Sequence, residues 1–190
     1  MGKTLVILES PGKVKKIQSF LGPDYIVKAS IGHIRDLEKS NKAIDKKTFD
    51  VNYIISPEKK DVVKELKDLH KKCDDVILMT DPDREGNNIA WHICEVLGIN
   101  PEKAKRATTT EITKDGVSKA IKNVGKLDMN SVEAGTARRI LDRLVGFDLS
   151  PLLWSKIQKG LSAGRVQSVA VRIIVERERE INSFDASSDF

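Results

Sequence analysis

Apolar positions in the first hundred residues follow two alternating patterns. Continuous apolar runs of strand length occur at residues 4–8 (Thr4-Leu5-Val6-Ile7-Leu8), 53–55 and 76–79, and 25–29 can form a further strand. Between them, apolar residues recur every three or four positions. They are Val14, Ile17, Phe20 and Leu21, then Val62, Val63, Leu66 and Leu69 within 58–72, then Ile89, Ala90, Ile93, Cys94 and Leu97 up to Gly98. A continuous run reads as a strand buried on both faces, and the three-to-four spacing as a helix with one buried side. Ser10-Pro11 is a helix-start signal, and Gly22-Pro23 ends the helix it opens. The alternation predicts an α/β fold, a Rossmann-like, mainly parallel sheet flanked by helices. Residues 32–37 read as a loop, 39–47 as exposed polar chain, 106–108 as a short strand and 113–124 as another helix.

Past Gly125 the pattern becomes purely helical, which divides the chain into an α/β domain over 1–125 and an all-helical segment over 126–190. Asn130 reads as an N-cap, with Glu133 completing a capping box. Ile140, Leu141, Leu144 and Val145 form a stripe expected to be buried, and Ser150-Pro151 a turn. Residues 160–164 open a last helix whose Val166, Val169, Ala170, Ile173 and Ile174 are expected to face a core, with Arg165, Arg172 and Glu176 opposite. The tail 185–190 is expected to be disordered or foreign to the native chain.

In a parallel sheet, the residues just after the strand ends gather along one edge. Glu9 and the Asp81-Pro82-Asp83-Arg84-Glu85 turn both occupy such ends. Three carboxylates in one short turn repel one another unless a cation sits among them, and magnesium, which prefers oxygen ligands and bridges carboxylates to phosphate, suits the place. Taken alone, the turn reads equally well as a capped, solvated loop. Glu9-Ser10-Pro11-Gly12-Lys13 puts a carboxylate and an ammonium beside a helix N-terminus, where phosphate binds, though an ordinary capping segment has the same composition. Together the two stretches give four acids and one base around a phosphate-sized space.

Composition adds limits. The 190 residues carry 33 Lys and Arg against 28 Asp and Glu, a net charge of +5 that mildly favours a polyanionic partner. The run 5–8 is stopped by Glu9, too short for a signal peptide or a membrane span, and no lipidation pattern follows Met1-Gly2, so a cytoplasmic protein without a membrane role is expected. Cys73 and Cys94 form no C-x-x-C pair and are expected as buried free thiols. His33, His70 and His92 lack zinc-ligand spacing. Trp91 and Trp154 lie in apolar patterns and are expected in the core.

The strings T-L-V-I-L-E-S-P-G-K, G-H-I-R-D-L, M-T-D-P-D-R-E-G and I-A-W-H-I resemble the Toprim domain of type IA DNA topoisomerases. The later strings A-R-R-I-L-D-R-L-V-G-F, L-S-P-L-L-W and G-L-S-A-G-R-V-Q-S-V-A resemble bacterial members of that family, in the family's order from Thr4 to about Ile181. The resemblance implies relaxation of negatively supercoiled DNA through transient single-strand cleavage, with a tyrosine holding the 5′ phosphate covalently. It implies that Glu9 works as acid or base on the 3′ hydroxyl, that Lys13 offsets phosphoryl charge, and that Asp81, Asp83 and Glu85 hold Mg2+. His33 and Arg35 match a loop that shapes the site. Arg138, Asp142, Ser162, Arg165 and Gln167 match segments lining a single-strand DNA groove; Arg138 and Asp142 also stand at i,i+4 for an intrahelical pair.

The implied partners are single-stranded or negatively supercoiled DNA and the remaining domains of the same enzyme, at the bacterial nucleoid. The chain departs from the family pattern at Asn87, where a Glu is usual, and at Thr109-Thr110, where Phe-Asn is usual. Its only tyrosines, Tyr25 and Tyr53, are not followed by the family's Arg-Thr-Asp-Ser, so no nucleophile is identified and the chain is expected to be an inactive fragment. A Toprim nuclease or primase and a non-catalytic DNA-binding module are the alternatives; the first leaves the helical strings unexplained, and the second predicts no metal site.

Overall fold

A computed structural model describes residues 2–40 and 43–185. Its elements are β1 (Thr4–Leu8), α1 (Val14–Leu21), β2 (Tyr25–Ala29), β3 (Arg35–Leu37), β4 (Tyr53–Ile55), α2 (Lys60–His70), β5 (Asp75–Met79), α3 (Arg84–Leu97), β6 (Lys105–Arg106), α4 (Lys114–Lys122), α5 (Met129–Lys156) and α6 (Arg165–Ser183). Residues 2–136 and 137–185 belong to two compact units.

The main sheet has the order β2-β1-β5-β6, parallel throughout, with Leu8 opposite both Ala29 and Met79. Alternation along β1 explains why the whole run is apolar. Leu5 and Ile7 enter one core with Leu66, Leu78, Ile89 and Ile93, whereas Val6 and Leu8 enter a second with Ile17, Ile77, Met79 and Val117. Helices α2 and α3 pack together, as do α1 and α4, each pair contributing to one of the two cores. Gln18 ties the end of α1 to β2, its amide donating to the Gly22 and Tyr25 carbonyls and its oxygen accepting from Val27 N–H.

Several elements differ from the sequence expectation. Residues 35–37 are not loop but β3, paired antiparallel with β4 in a separate two-stranded sheet. Ala43 and Ile44 are buried, because Ile44 bridges to Val51, so the stretch 39–47 is not uniformly exposed; its residues 41–42 lie outside the described set. Helix α5 starts two residues earlier than an Asn130 cap requires, since Asp128 Oδ1 accepts from Ser131 N–H at 3.1 Å. It then runs through Pro151, where a turn was expected. Leu141 is exposed, and Val166, Val169, Ile173 and Ile174 of α6 are exposed rather than facing a core. Trp91 packs at the edge of the first core, but Trp154 is exposed. Cys94 is buried and Cys73 half-buried, both as free thiols. Of the tail, only Asp185 is among the described residues.

Candidate active site at the ends of β1 and β5

Because β1 and β5 are hydrogen-bonded neighbours with Leu8 beside Met79, the chain emerges side by side as Glu9 and Thr80. The sheet order places this pair where β1 turns off to β2 on one side and β5 lies on the other, the crevice in which open parallel sheets present their ligand-binding loops. Asp83 caps α3, its Oδ1 accepting from Gly86 N–H at 2.7 Å. Thr80 Oγ1 donates to the Gly86 carbonyl at 2.7 Å. Gly86 has no alternative here: a Cβ would lie 2.0 Å from the Asp81 carbonyl oxygen, so only glycine lets the turn close.

The charges of the site are shared among specific partners. Lys13 Nζ donates to Asp81 Oδ1 at 2.8 Å, and His33 Nε2 pairs with Glu85 Oε1 while its ring stands edge-on to the buried His92. Glu9 is titrated upward from the usual carboxylate range, first by burial and then by the facing Asp81 and Asp83; Lys13 and His33 oppose the shift without cancelling it. An added positive charge would relieve that crowding, and the donors are all hard oxygens, so the chemistry of the set fits a divalent cation of the magnesium type. The carboxylates are nevertheless parted onto Lys13, Gly86 N–H and His33. Among the described residues no three acidic, histidine or cysteine side chains already surround one point. Lys13 holds one of the two Asp81 carboxylate oxygens in this arrangement.

Of the residues expected at the site, Glu9, Lys13, His33, Asp81, Asp83 and Glu85 are brought together by these contacts. Arg35 is not: its guanidinium lies 5.1 Å from the Tyr53 ring and 5.2 Å from the Trp91 ring and pairs with Glu95 at 3.5 Å, a packing arrangement. In residues 137–185, Arg165 Nε donates to Asp142 Oδ1 at 2.5 Å and holds that carboxyl below its usual range. Arg138 reaches Asp142 only at 3.9 Å. Ser162 is exposed in the segment before α6, and Gln167 packs against Gly164, where a Cβ would lie 2.2 Å from its Oε1.

One residue went unnoticed in the sequence. Arg106, 5% exposed, donates from Nη2 to the Asp81 carbonyl at 2.6 Å and from Nη1 to Asn87 Oδ1; Asn87 Nδ2 in turn donates to Ser131 Oγ at 3.3 Å. The guanidinium pKa is lowered by burial, with Asp83 and Asp128 opposing. Arg106 thus clamps the backbone of the acidic turn from behind, at the wall of a cavity of about 340 Å³ lined also by Pro82, Thr108, Lys126 and Asp128. Its signal was faint: a single arginine at the end of a two-residue strand. Asn87, seen only as a missing acid, is the clamp's second anchor.

A four-stranded parallel sheet with Glu9 and an Asp-x-Asp-x-Glu turn at adjoining strand ends defines a Toprim-type domain. The chain belongs to the Toprim family, whose domain matches residues 4–112, and residues 126–188 match the DNA topoisomerase family. It is 47% identical to DNA topoisomerase 1 of Salmonella typhimurium and 46% identical to that of Escherichia coli, in each case over 97% of this chain and 25% of the relative. The full-length topoisomerase I structure from Thermotoga maritima superposes with a TM-score of 0.87 at 45% identity, covering 95% of this chain and 31% of that one. The chain therefore spans about a quarter of the length of the curated relatives it matches. The family resemblance read from the sequence strings holds, as does the fold it implied. No helix among the described residues is long and apolar enough to cross a membrane.

Proposed function

We propose that this chain supplies the acidic site and part of the single-strand groove of a type IA topoisomerase. In that reading the whole enzyme relaxes negatively supercoiled DNA in the bacterial cytoplasm, at the nucleoid, by transient cleavage through a 5′-phosphotyrosine. The observation that carries the reading is Glu9, pushed toward its protonated form while facing Asp81, Asp83 and the Lys13 ammonium. A carboxyl that keeps its proton beyond the usual range donates it to the departing 3′ oxygen and recovers it on religation. Lys13, freed from Asp81, places its ammonium against the phosphate oxygens as charge builds. His33 holds Glu85 in place. Bound Mg2+, held by Asp81, Asp83 and Glu85, supplies charge neutralisation and alignment of the broken ends.

Residues 1–125 form the catalytic part in this reading. Residues 126–190 begin the groove, in which Arg138, Ser162, Arg165 and Gln167 meet phosphates and Asp142 orients Arg165. Tyr53 meets Trp91 and His92 edge-on, Tyr25 packs against the second core, and neither is followed by the family's Arg-Thr-Asp-Ser, so in this reading the 190-residue chain alone leaves supercoiled plasmid unchanged. The match of residues 126–188 supports a topoisomerase over a Toprim nuclease or primase. Calorimetric titration of Mg2+ into the chain with a single-stranded oligonucleotide tests the reading. The Asp81→Asn/Asp83→Asn variant is expected to weaken Mg2+ at least about tenfold, the scale of losing ligand charge; undiminished binding would sink it.

A further inference from the structure

The two helix layers of the α/β unit differ in charge. Helices α1 and α4, packed together on the second core, carry five lysines (Lys15, Lys16, Lys114, Lys119 and Lys122) against one acid, Asp115. Helices α2 and α3 carry four cations and five acids. All five lysines are exposed, and none forms an ion pair with an acid among the described residues. Their helices turn Ile17, Val117 and Ala120 into the core, which leaves the lysines on the outer side. The layer also continues from the site, since α1 follows directly on Lys13.

We infer that the α1/α4 face is a second nucleic-acid surface that holds the phosphate backbone of duplex DNA outside the single-strand groove. Charge complementarity selects a polyanion, because clustered, unpaired lysines release counterions from phosphates on contact. The absence of arginine forks from both helices argues for backbone contact rather than base reading. Single strands are held by stacking on aromatic platforms, and the only aromatic in either helix, Phe20, is half-buried with Lys16 Nζ 5.9 Å from its ring. The identification of DNA as the polyanion rests on the function proposed above; the placement of the surface rests on the charge asymmetry alone.

The test compares two variants with equal loss of charge: Lys15→Gln/Lys16→Gln/Lys119→Gln/Lys122→Gln on this face, and Lys60→Gln/Lys64→Gln/Lys67→Gln/Lys71→Gln on and just after α2. Fluorescence anisotropy with a labelled duplex and a labelled single strand is followed across a salt series. The α1/α4 variant is expected to lose at least tenfold in duplex affinity, with its log–log salt slope shallower by about 3.6, near 0.9 per lost phosphate contact. The α2 variant should retain most duplex affinity, and single-strand binding should change little in either. Equal effects of the two variants, or equal loss on duplex and single strand, overturn the inference, as does the same loss on polyglutamate, which would mark a general polyanion or acidic-protein surface. If the quadruple variant melts early, Lys15→Gln/Lys119→Gln gives the same comparison at half the slope change. A chain that binds no single strand at all defeats the proposed function while leaving the duplex comparison readable.

Discussion

The units 2–136 and 137–185 are built from the same kind of apolar periodicity and meet opposite fates. In the first, every layer has something to press against: the sheet offers two faces, α2 and α3 fill one, and α1 and α4 fill the other. Every buried apolar side chain among the described residues falls at or before Val132. In the second, α6 spells an equally regular stripe, yet Val166, Val169, Ile173 and Ile174 are all exposed. A helical stripe states which side of a helix prefers to leave water; it does not supply the surface that covers it.

The largest expected effect puts that contrast on an energy scale. Leu78, 1% exposed on β5 and packed into the first core, should cost about 2–5 kcal/mol when replaced by alanine, through lost transfer energy and an unfilled cavity. Ile173, 61% exposed, should cost within about 0.5 kcal/mol for the same change. Urea unfolding of Leu78→Ala and Ile173→Ala measures both; equal losses would show that α6 is packed in solution and the contrast false.

A second effect lies inside the well-packed unit. Arg106→Gln removes the donor from the Asp81 carbonyl and from Asn87 Oδ1, leaving half-buried acceptors without it at about 1 kcal/mol. The loss should appear as a shift of the Asp81 to Gly86 amide resonances in metal-free protein, whereas the resonances of α6 stay in place. A shift confined to residues outside that turn would remove Arg106 from its role as a clamp.

How much of this was legible depended on whether a residue acts through periodicity or through a partner. Strands β1 and β5 were readable because both faces are buried, so the apolar run itself is the signal. The meeting of Glu9 with Asp81 followed from parallel pairing of those runs. Strand β3 was not readable: two of its three residues, Arg35 and Asp36, are charged, and pairing with β4 makes it a strand. The α5 boundaries failed for local reasons. Asp128 lies two residues ahead of Asn130 and caps first, while Pro151 removes a single N–H from a 28-residue helix without ending it. Arg106 and the Arg35 stack are tertiary facts with no period in the chain.

A comparable but favourable change is expected at Ile31. This β-branched residue has φ of 58°, in the left-handed region, and is 46% exposed; its carbonyl accepts from Lys59 Nζ, and the next amide donates to the Glu9 carbonyl. Those two bonds hold a conformation that isoleucine adopts only under strain. Ile31→Gly should stabilise the chain by about 1 kcal/mol, seen as a melting temperature raised by roughly 2–4 °C. A lowered melting temperature would mean that the side chain's contacts outweigh the relief.

The smallest effect is the most diagnostic of the acidic crevice that only the first unit possesses. With its pKa raised in the folded chain, the Glu9 carboxyl favours folding while protonated, so its contribution is complete below the ordinary glutamate range and is lost as pH rises through the shifted value. Glu9→Gln keeps the shape and never ionises. Without divalent metal, the variant should therefore melt about 1–3 °C above the parent at pH 7, and the gap should close as pH falls below the glutamate range. Added Mg2+ should narrow the gap at pH 7, because the ion repays ionisation of the parent's carboxylate and offers the amide less. Melting curves at pH 4 and pH 7, each with a chelator and with Mg2+, read all four corners. A parent that is the more stable protein at pH 7 in chelator would show that Lys13 and His33 outweigh burial and the two aspartates, and that Glu9 is an ordinary ion-paired carboxylate.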